Sequence, residues 1–503
     1  MANGQEKEIK LVSTPAGRKK LLQLPLVKEK LIAGSRHELA LVNRYYDTRD
    51  QKLTRTGMAY RIRRTNGKAF EATVKTRGET VNGFSARQEY TVQLEKEQPV
   101  LAGFAPQMDE KLQTLLTEDE LLPLFTVEFT RKVALLQLTK STVVEVAVDT
   151  GSIQAGDSTE PIEEIELEIK KGREKDLLRF TAALSREIPL LPEERSKFQR
   201  GLALLTPDRG LWQKQARYSC EAGMPPEGAW RGLVAASLGG ALDQLEQRRR
   251  DPEGFSLEEY QEQLAACRGL WQLGEDFLSG TSWQKGDTIL QGLLKLPFDQ
   301  QALPEEKRLE DLLARQEGQP LQEAAQWLKR QGAELEQQGS RYYAQAAAAG
   351  LWQLLYLSTL AVENQEVQHL GDLRTRYWNK WQQEARLLSE SGNPSPLAAR
   401  ENMALLSGLL VLEEALSGSL GKKKLVKAGK AYQAAWYKVC RTCAQIEAYQ
   451  AGAQKERVRR LGFALCYAAG WESAGVEKQL KKAEKAGKAL RKEIQRHAEI
   501  SLG

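Results

Sequence analysis

Charged residues recur two apart in several short segments of the first two hundred residues. Glu6, Glu8 and Lys10 are spaced this way, as are Arg61 and Arg63, Glu71, Thr73 and Lys75, and Arg87 and Glu89. Glu145 and Asp149 share a row opposite Val144, Val146 and Val148. Glu164, Glu166, Glu168 and Lys170 alternate with Ile165, Leu167 and Ile169. In a strand, residues two apart share a face, so each segment presents acids, bases or both on one side. One such row alone is an ordinary wet sheet face. Carboxylates on neighbouring strands, however, repel each other unless cations sit between them. Closure of the sheet resolves the conflict: a barrel whose apolar face packs outward against helices encloses a charged lumen. Carboxylates there would hold a hard divalent cation through oxygen. Arginine, as a bidentate fork, and lysine, as a point charge, would neutralise a phosphate chain. The chain contains no Gly-x-x-x-x-Gly-Lys-Ser/Thr loop, so side chains would have to hold the phosphates.

The elements that must position these rows are strands. Alternating runs cover Glu6–Lys10, Ala59–Arg63, Phe70–Lys75, Ala86–Leu94, Thr126–Leu138, Thr142–Asp149 and Ile162–Lys170. Turn signals at Asn66-Gly67, Arg77-Gly78, Asn82-Gly83 and Gly151 separate them. Helical stretches fall around 14–33, 109–121 and 173–187. The second half reads as helices, over 258–279, 320–336, 343–362, 400–417, 431–448 and 474–498. All ten tryptophans lie at Trp212 or later and all five cysteines at Cys220 or later. The division predicts an α+β chain: a β-rich domain over 1–205, a linker over 206–224 and an all-α bundle domain over 225–503. A Gly-Leu-Trp-Gln tetrapeptide recurs at Gly210, Gly269 and Gly350 with unequal spacing. It is therefore no solenoid period, and leaves room for two bundles.

The 503 residues are 28% charged and 41% hydrophobic, enough for several cores and against wholesale disorder. Few cysteines and the absence of a basic flank leading into an apolar run predict a reducing, cytoplasmic location without a signal peptide. The uncharged stretch from Tyr343 to Val362 reads as a buried bundle helix, not a membrane span. Cys440 and Cys443 have redox or zinc half-site spacing, but lie in a helical run with no second pair. His37 reads as a surface residue and the tryptophans as packing anchors. A net charge of +6 does not by itself imply a nucleic-acid partner. The charge is uneven: residues 421–503 hold 19 Lys and Arg against 7 Asp and Glu, a net of +12. That end could attract a polyanion.

Taken in order, the motifs resemble those of the CYTH superfamily, the triphosphate tunnel metalloenzymes. Glu6-x-Glu8-x-Lys10 resembles its N-terminal signature. Asn43-Arg-Tyr-Tyr-Asp47-Thr48 with Leu53, Arg61-Ile-Arg63, Glu71-x-Thr73-x-Lys75 and Arg87-x-Glu89 follow. Arg131, Glu145-x-Ala-x-Asp149-x-Gly151, Glu164-Ile-Glu166-Leu-Glu168 and Ser196-Lys197 complete the series over residues 4–205. The resemblance implies an eight-stranded antiparallel tunnel and hydrolysis of tripolyphosphate to pyrophosphate and phosphate.

It also implies roles. Glu6, Glu8, Glu166 and Glu168 would hold Mg²⁺ or Mn²⁺. Glu145, Asp149 and Glu164 would be further ligands or hold a second ion. Lys10, Arg61, Arg63, Lys75, Arg87, Arg131 and Lys197 would grip the phosphates, and water activated by the cation would attack phosphorus. Glu89 is one candidate to orient that water, and Lys197 joins it as a catalytic candidate. Strict alternation sets Arg131 with Phe129 and Val133; a bulge could re-aim it, but the sequence does not show one. The helical half resembles the CHAD domain by position and helicity. The 258–273 helix, with Arg268 alone and no histidine, departs from that family's histidine- and arginine-rich pattern, so long-chain polyphosphate binding rests on the basic end. Other readings are a nucleoside or thiamine triphosphatase, a class IV adenylyl cyclase, or a non-catalytic polyphosphate-binding module.

Overall fold

The computed structural model describes residues 4–76, 78–81, 84–116, 121–205, 218–221, 223–251, 255, 257–295, 322–324, 326–327, 330, 346–364, 366–390, 396–416, 423–455 and 459–500. The chain separates into two compact units, residues 1–216 with 242–254 and residues 217–241 with 255–503. Most of the expected linker, most of the expected 320–336 helix, and the turn residues Arg77, Asn82 and Gly83 lie outside the described residues.

The first unit is built on ten strands: β1 (Gly4–Val12), β2 (His37–Asp47), β3 (Ala59–Thr65), β4 (Ala69–Lys75), β5 (Glu79–Val81), β6 (Phe84–Leu94), β7 (Leu122–Thr139), β8 (Thr142–Ala155), β9 (Ser158–Lys171) and β10 (Leu191–Pro192). Hydrogen bonding runs β1-β9-β8-β7-β2-β3-β4-β6, and β6 pairs back onto β1. Eight antiparallel strands thus close a barrel, with β5 and β10 as short additions. The β3–β4 hairpin turns through Asn66, Gly67 and Lys68 between paired Thr65 and Ala69, with Asn66 and Gly67 at φ of 50° and 74°, left-handed angles that asparagine and glycine adopt most readily.

β2 is the strand that alternation did not reveal. Leu39 and Leu41 share one face with Asn43, and Ala40 and Val42 share the other with Arg44, so neither face is uniformly polar. The expected 14–33 helix is two short ones, α1 (Pro15–Leu21) and α2 (Pro25–Lys28), because Pro25 interrupts it. Thr14 caps α1 by accepting from the Gly17 amide at 3.1 Å. The other helices of this unit are α3 (Lys52–Arg55), α4 (Pro106–Leu115), α5 (Glu174–Glu187) and α6 (Lys197–Leu205).

The barrel's outer face is apolar. Tyr60, Ile62, Ala72 and Val74 of β3 and β4 pack with Met108 and Leu112 of α4. Ile9 and Leu11 of β1 and Leu167 of β9 are fully buried. The inner face carries the charged rows over much of its length. At one end it turns apolar: Leu41, Phe125, Val127, Phe129, Ile153 and Ile162 cluster with Leu202 of α6. Gly201 lets α6 come this close, since a Cβ there would lie 2.2 Å from the Phe125 ring.

The second unit is helical: α7 (Pro226–Arg250, its last turns counted with the first unit), α8 (Leu257–Gln272), α9 (Gly280–Lys295), α10 (Leu370–Glu390), α11 (Pro396–Ala415), α12 (Lys423–Lys455) and α13 (Arg459–Ile500). Residues 346–358 are helical too. Trp230, Trp271 and Trp352 are buried, and the first two donate to the Leu270 and Trp283 carbonyls. Cys440 and Cys443 lie within α12. No helix among the described residues is long and apolar enough to cross a membrane.

Candidate active site

Residues directly opposite in an antiparallel ladder project to the same face, so register identifies the lumen. Glu6 faces Arg87, Glu8 faces Glu168, Lys10 faces Glu166, Arg131 faces Asp149 and Asp149 faces Glu164. Arg61 faces Thr73, Arg63 faces Asn43 and Glu71, and Lys75 faces Glu89. Every residue the sequence proposed for the site therefore lies on strands of one closed wall, apart from Lys197, which α6 brings in.

Three ionic groups form along this wall. In the first, Glu6 accepts from Lys75 and Arg87, each at 3.2 Å, and Arg87 also reaches Glu8 at 2.9 Å. Lys10 lies 3.2 Å from Glu8, and Lys75 also contacts Glu89. In the second, Arg131 grips Asp149 through two bonds of 2.8 and 2.7 Å and contacts Glu166. Lys197 Nζ sits among Asp149 at 2.9 Å, Glu164 at 2.5 Å and Glu166 at 2.9 Å. In the third, nearer solvent, Lys170 pairs with Glu168 at 2.8 Å and Glu145 at 3.5 Å.

Arg131 enters the lumen without any bulge. It pairs in plain register with Asp149, so no bulge is needed to bring it inward. Phe129 and Val133 share its face: Phe129 belongs to the apolar end of the lumen, and Val133 pairs with Ala147 on the other side of Arg131. Arg131 and Lys197 both lie over the Phe129 ring, at 5.7 and 5.2 Å.

The electrostatics follow the grouping. Burial resists ionisation of Glu6, but Lys75, Arg87 and Lys10 outweigh it and hold its carboxyl far below the usual range. The same contest holds Glu166 down through Arg131 and Lys197. Despite burial, Asp149, Glu164 and Glu166 raise Lys197. Glu168 moves the other way, raised by burial and by the charges of Glu6 and Glu145.

Along β3 and β4 the balance is looser, Arg63 meeting Glu71 at 3.6 Å. Burial, with Arg61 and Arg131 nearby, pulls Arg63 down to about 9. Burial and the charges of Arg87 and Arg61 likewise lower Lys75, against the pull of Glu6. Arg61 is 8% exposed, and its buried Nε has no hydrogen-bond partner among the described residues. Asn43, fully buried, accepts from Arg63 Nε at 2.9 Å, while its Nδ2 has no such partner. Buried donors without acceptors are costly, so this wall is suited to an anion.

Asp149, Glu164 and Glu166 are the described carboxylates whose ligand atoms converge, all within 4.8 Å of one another. The all-oxygen set suits a hard divalent cation, which would take the place that Lys197 Nζ, within 2.9 Å of all three, holds here. It takes one residue from the principal metal set expected from the sequence and two from the further set. Two contributors lacked a role in the sequence reading. Arg200 contacts Glu164, donates to Glu160 at 2.8 Å and to the Pro161 carbonyl at 2.5 Å. Its place one helical turn after Lys197 was the available signal. Asn43 stood in one of the motifs, and the β2–β3 register, which pairs it with Arg63, sets it there.

Residues 4–202 match the CYTH domain family model. An inorganic triphosphatase from Haemophilus influenzae is 35% identical over 204 residues, covering 40% of this chain. The match spans 55% of that relative's length, about half of it. Among solved structures, PptA from Streptomyces chartreusis is 15% identical, covering 52% of this chain and 99% of its own, at a TM-score of 0.41. A Hippeastrum protein described as an adenylyl cyclase with dominant triphosphatase activity is 16% identical, covering 39% of this chain and 95% of its own, at a TM-score of 0.30.

Proposed function

We propose that the barrel hydrolyses inorganic tripolyphosphate to pyrophosphate and phosphate, with Mg²⁺ or Mn²⁺ as cofactor. The observation that carries this reading is the division of one buried lumen into a carboxylate-rich wall and a wall with unpartnered cationic and amide donors. A tripolyphosphate brings more negative charge than the β2–β3 wall alone can balance, and most other luminal cations are already held by carboxylates. Bound to Asp149, Glu164 and Glu166, with Glu6, Glu8, Glu145 and Glu168 in reach along the wall, a divalent cation would neutralise the chain and acidify water.

The protein's own groups then have defined work. Arg61 and Arg63 take phosphate oxygens as forks, and Lys10, Lys75, Arg87 and Arg131 exchange carboxylate partners for phosphate ones. Glu89, against Lys75, orients the attacking water. Lys197, brought in on α6, neutralises charge on the departing pyrophosphate. The helical half, divided from the barrel near residues 206–224, would serve as a CHAD-like unit whose basic end takes a polyanion.

Phosphate release from tripolyphosphate, ATP and long-chain polyphosphate, with and without Mn²⁺, tests the reading. Tripolyphosphate should be cleaved fastest, and only with metal. Glu6→Ala should lower the rate at least about a hundredfold, as expected when a charge partner of the reacting centre is lost. Release from ATP alone, or from none of the three, would defeat the assignment.

A further inference from the structure

The helix α13 carries one exposed line of side chains, advancing in steps of three and four. It starts with Phe463 and Tyr467, which are 65% and 48% exposed and have ring centroids 6.5 Å apart. It passes the small residues Gly470 and Ala474, then continues as Lys478, Lys481, Lys485, Lys488 and Lys492, all exposed. Such steps hold a stripe on one side of a helix. The opposite side, with Leu465, Ala468 and Leu490, is buried. At a rise of about 1.5 Å per residue the stripe is about 44 Å long.

The neighbouring helix reinforces the charge. Thr442 of α12 bonds Gln479 at 3.1 Å, and Tyr432 lies against Gly487, so the two helices run antiparallel. The exposed Lys424, Lys427 and Lys438 of α12 therefore accompany the lysine end of α13. Two acids border the stripe: Glu477, paired with Lys481 at 2.7 Å, and Glu484.

We propose that this stripe binds single-stranded nucleic acid, its phosphates along the lysines and its bases stacked on Phe463 and Tyr467. A basic track joined to exposed aromatic rings is the general way proteins hold single strands. A polyphosphate chain has no π-face, so the two rings would be idle against it. A charged membrane plane would meet the flanking glutamates as well as the lysines, whereas a single strand can follow the line beside them. The inference is independent of the tunnel chemistry.

The test is fluorescence anisotropy of the full chain with a fluorescein-labelled 20-nucleotide oligouridylate that carries no triphosphate, across a salt series. The wild-type chain should bind with a negative salt slope. The double variant Phe463→Ala with Tyr467→Ala should bind about tenfold more weakly or worse with the slope unchanged. The triple variant Lys481→Gln, Lys485→Gln, Lys488→Gln should flatten the slope by about 2. Both sets are on exposed positions and should leave tripolyphosphate cleavage and melting temperature as in the wild type. Absence of oligonucleotide binding would overturn the proposal. So would equal affinity in the double ring variant, which would mark a surface for polyphosphate, or binding confined to phosphatidylserine vesicles, which would mark a membrane surface.

Discussion

Asn43 shows how a neutral residue shapes an ionic site. Its oxygen fixes Arg63, and its unpartnered Nδ2 leaves two N–H donors for an anion. Asn43→Asp keeps the shape but puts a carboxylate beside Arg63, competing with substrate. A hydrogen bond to a charged group is worth about 1.5–3 kcal/mol, so kcat/KM for tripolyphosphate should fall about tenfold to a hundredfold. Steady-state kinetics read the loss, and an unchanged melting temperature would separate it from misfolding. Glu193 makes a prediction about pH. Burial raises its pKa, but bonds from Arg195 at 3.0 and 2.9 Å more than offset this and lower it below the ordinary 4.5. A carboxyl depressed on folding contributes stability above its unfolded pKa and loses it as pH falls toward the folded value. The melting-temperature gap between wild type and Glu193→Gln should therefore be wide at pH 7 and narrow progressively as pH falls below the ordinary 4.5. A gap independent of pH would refute that role.

Among the elements, α6 couples packing to chemistry. Its apolar side sits on the Phe125 and Phe129 cluster, which fixes where Lys197 and Arg200 deliver their charges to Asp149, Glu164 and Glu166. Gly201→Leu would force a side chain into the Phe125 ring. Overpacking of this kind costs about 1–3 kcal/mol. Thermal melts should show that destabilisation, and phosphate release should fall with it because Lys197 is displaced. Wild-type activity in a destabilised Gly201→Leu chain would show that α6 is only a lid. This arrangement was half legible. Ser196-Lys197 stood out as a motif, but a nine-residue helix carries too little periodicity to announce that it faces a barrel's interior. Arg131 was obscured differently: alternation grouped it with the apolar Phe129 and Val133, and only the structure shows that this face is the lumen, apolar at its Phe129 end.

At the scale of the molecule, closure is the decisive feature. Ligand that binds the folded lumen alone must stabilise the fold: a hundredfold excess over Kd adds about 2.7 kcal/mol. Tripolyphosphate with Mg²⁺ or Mn²⁺ should raise the melting temperature of the barrel unit. Chelation of the metal should reverse most of the rise, and no shift in calorimetry would contradict occupancy of the lumen. The amino-acid order by itself determined the rows of acids and bases, the apolar rows behind them, the strand-rich and helical halves and the basic end, because each depends on neighbours a few residues apart. The tertiary structure alone decided that β1 pairs with both β6 and β9. It also decided that Asp149, Glu164 and Glu166 converge, and that Arg61 and Asn43 keep unpartnered donors. Those facts depend on register between strands as far apart in sequence as Lys10 and Glu166, and local periodicity carries no information about which distant edge will close the cylinder.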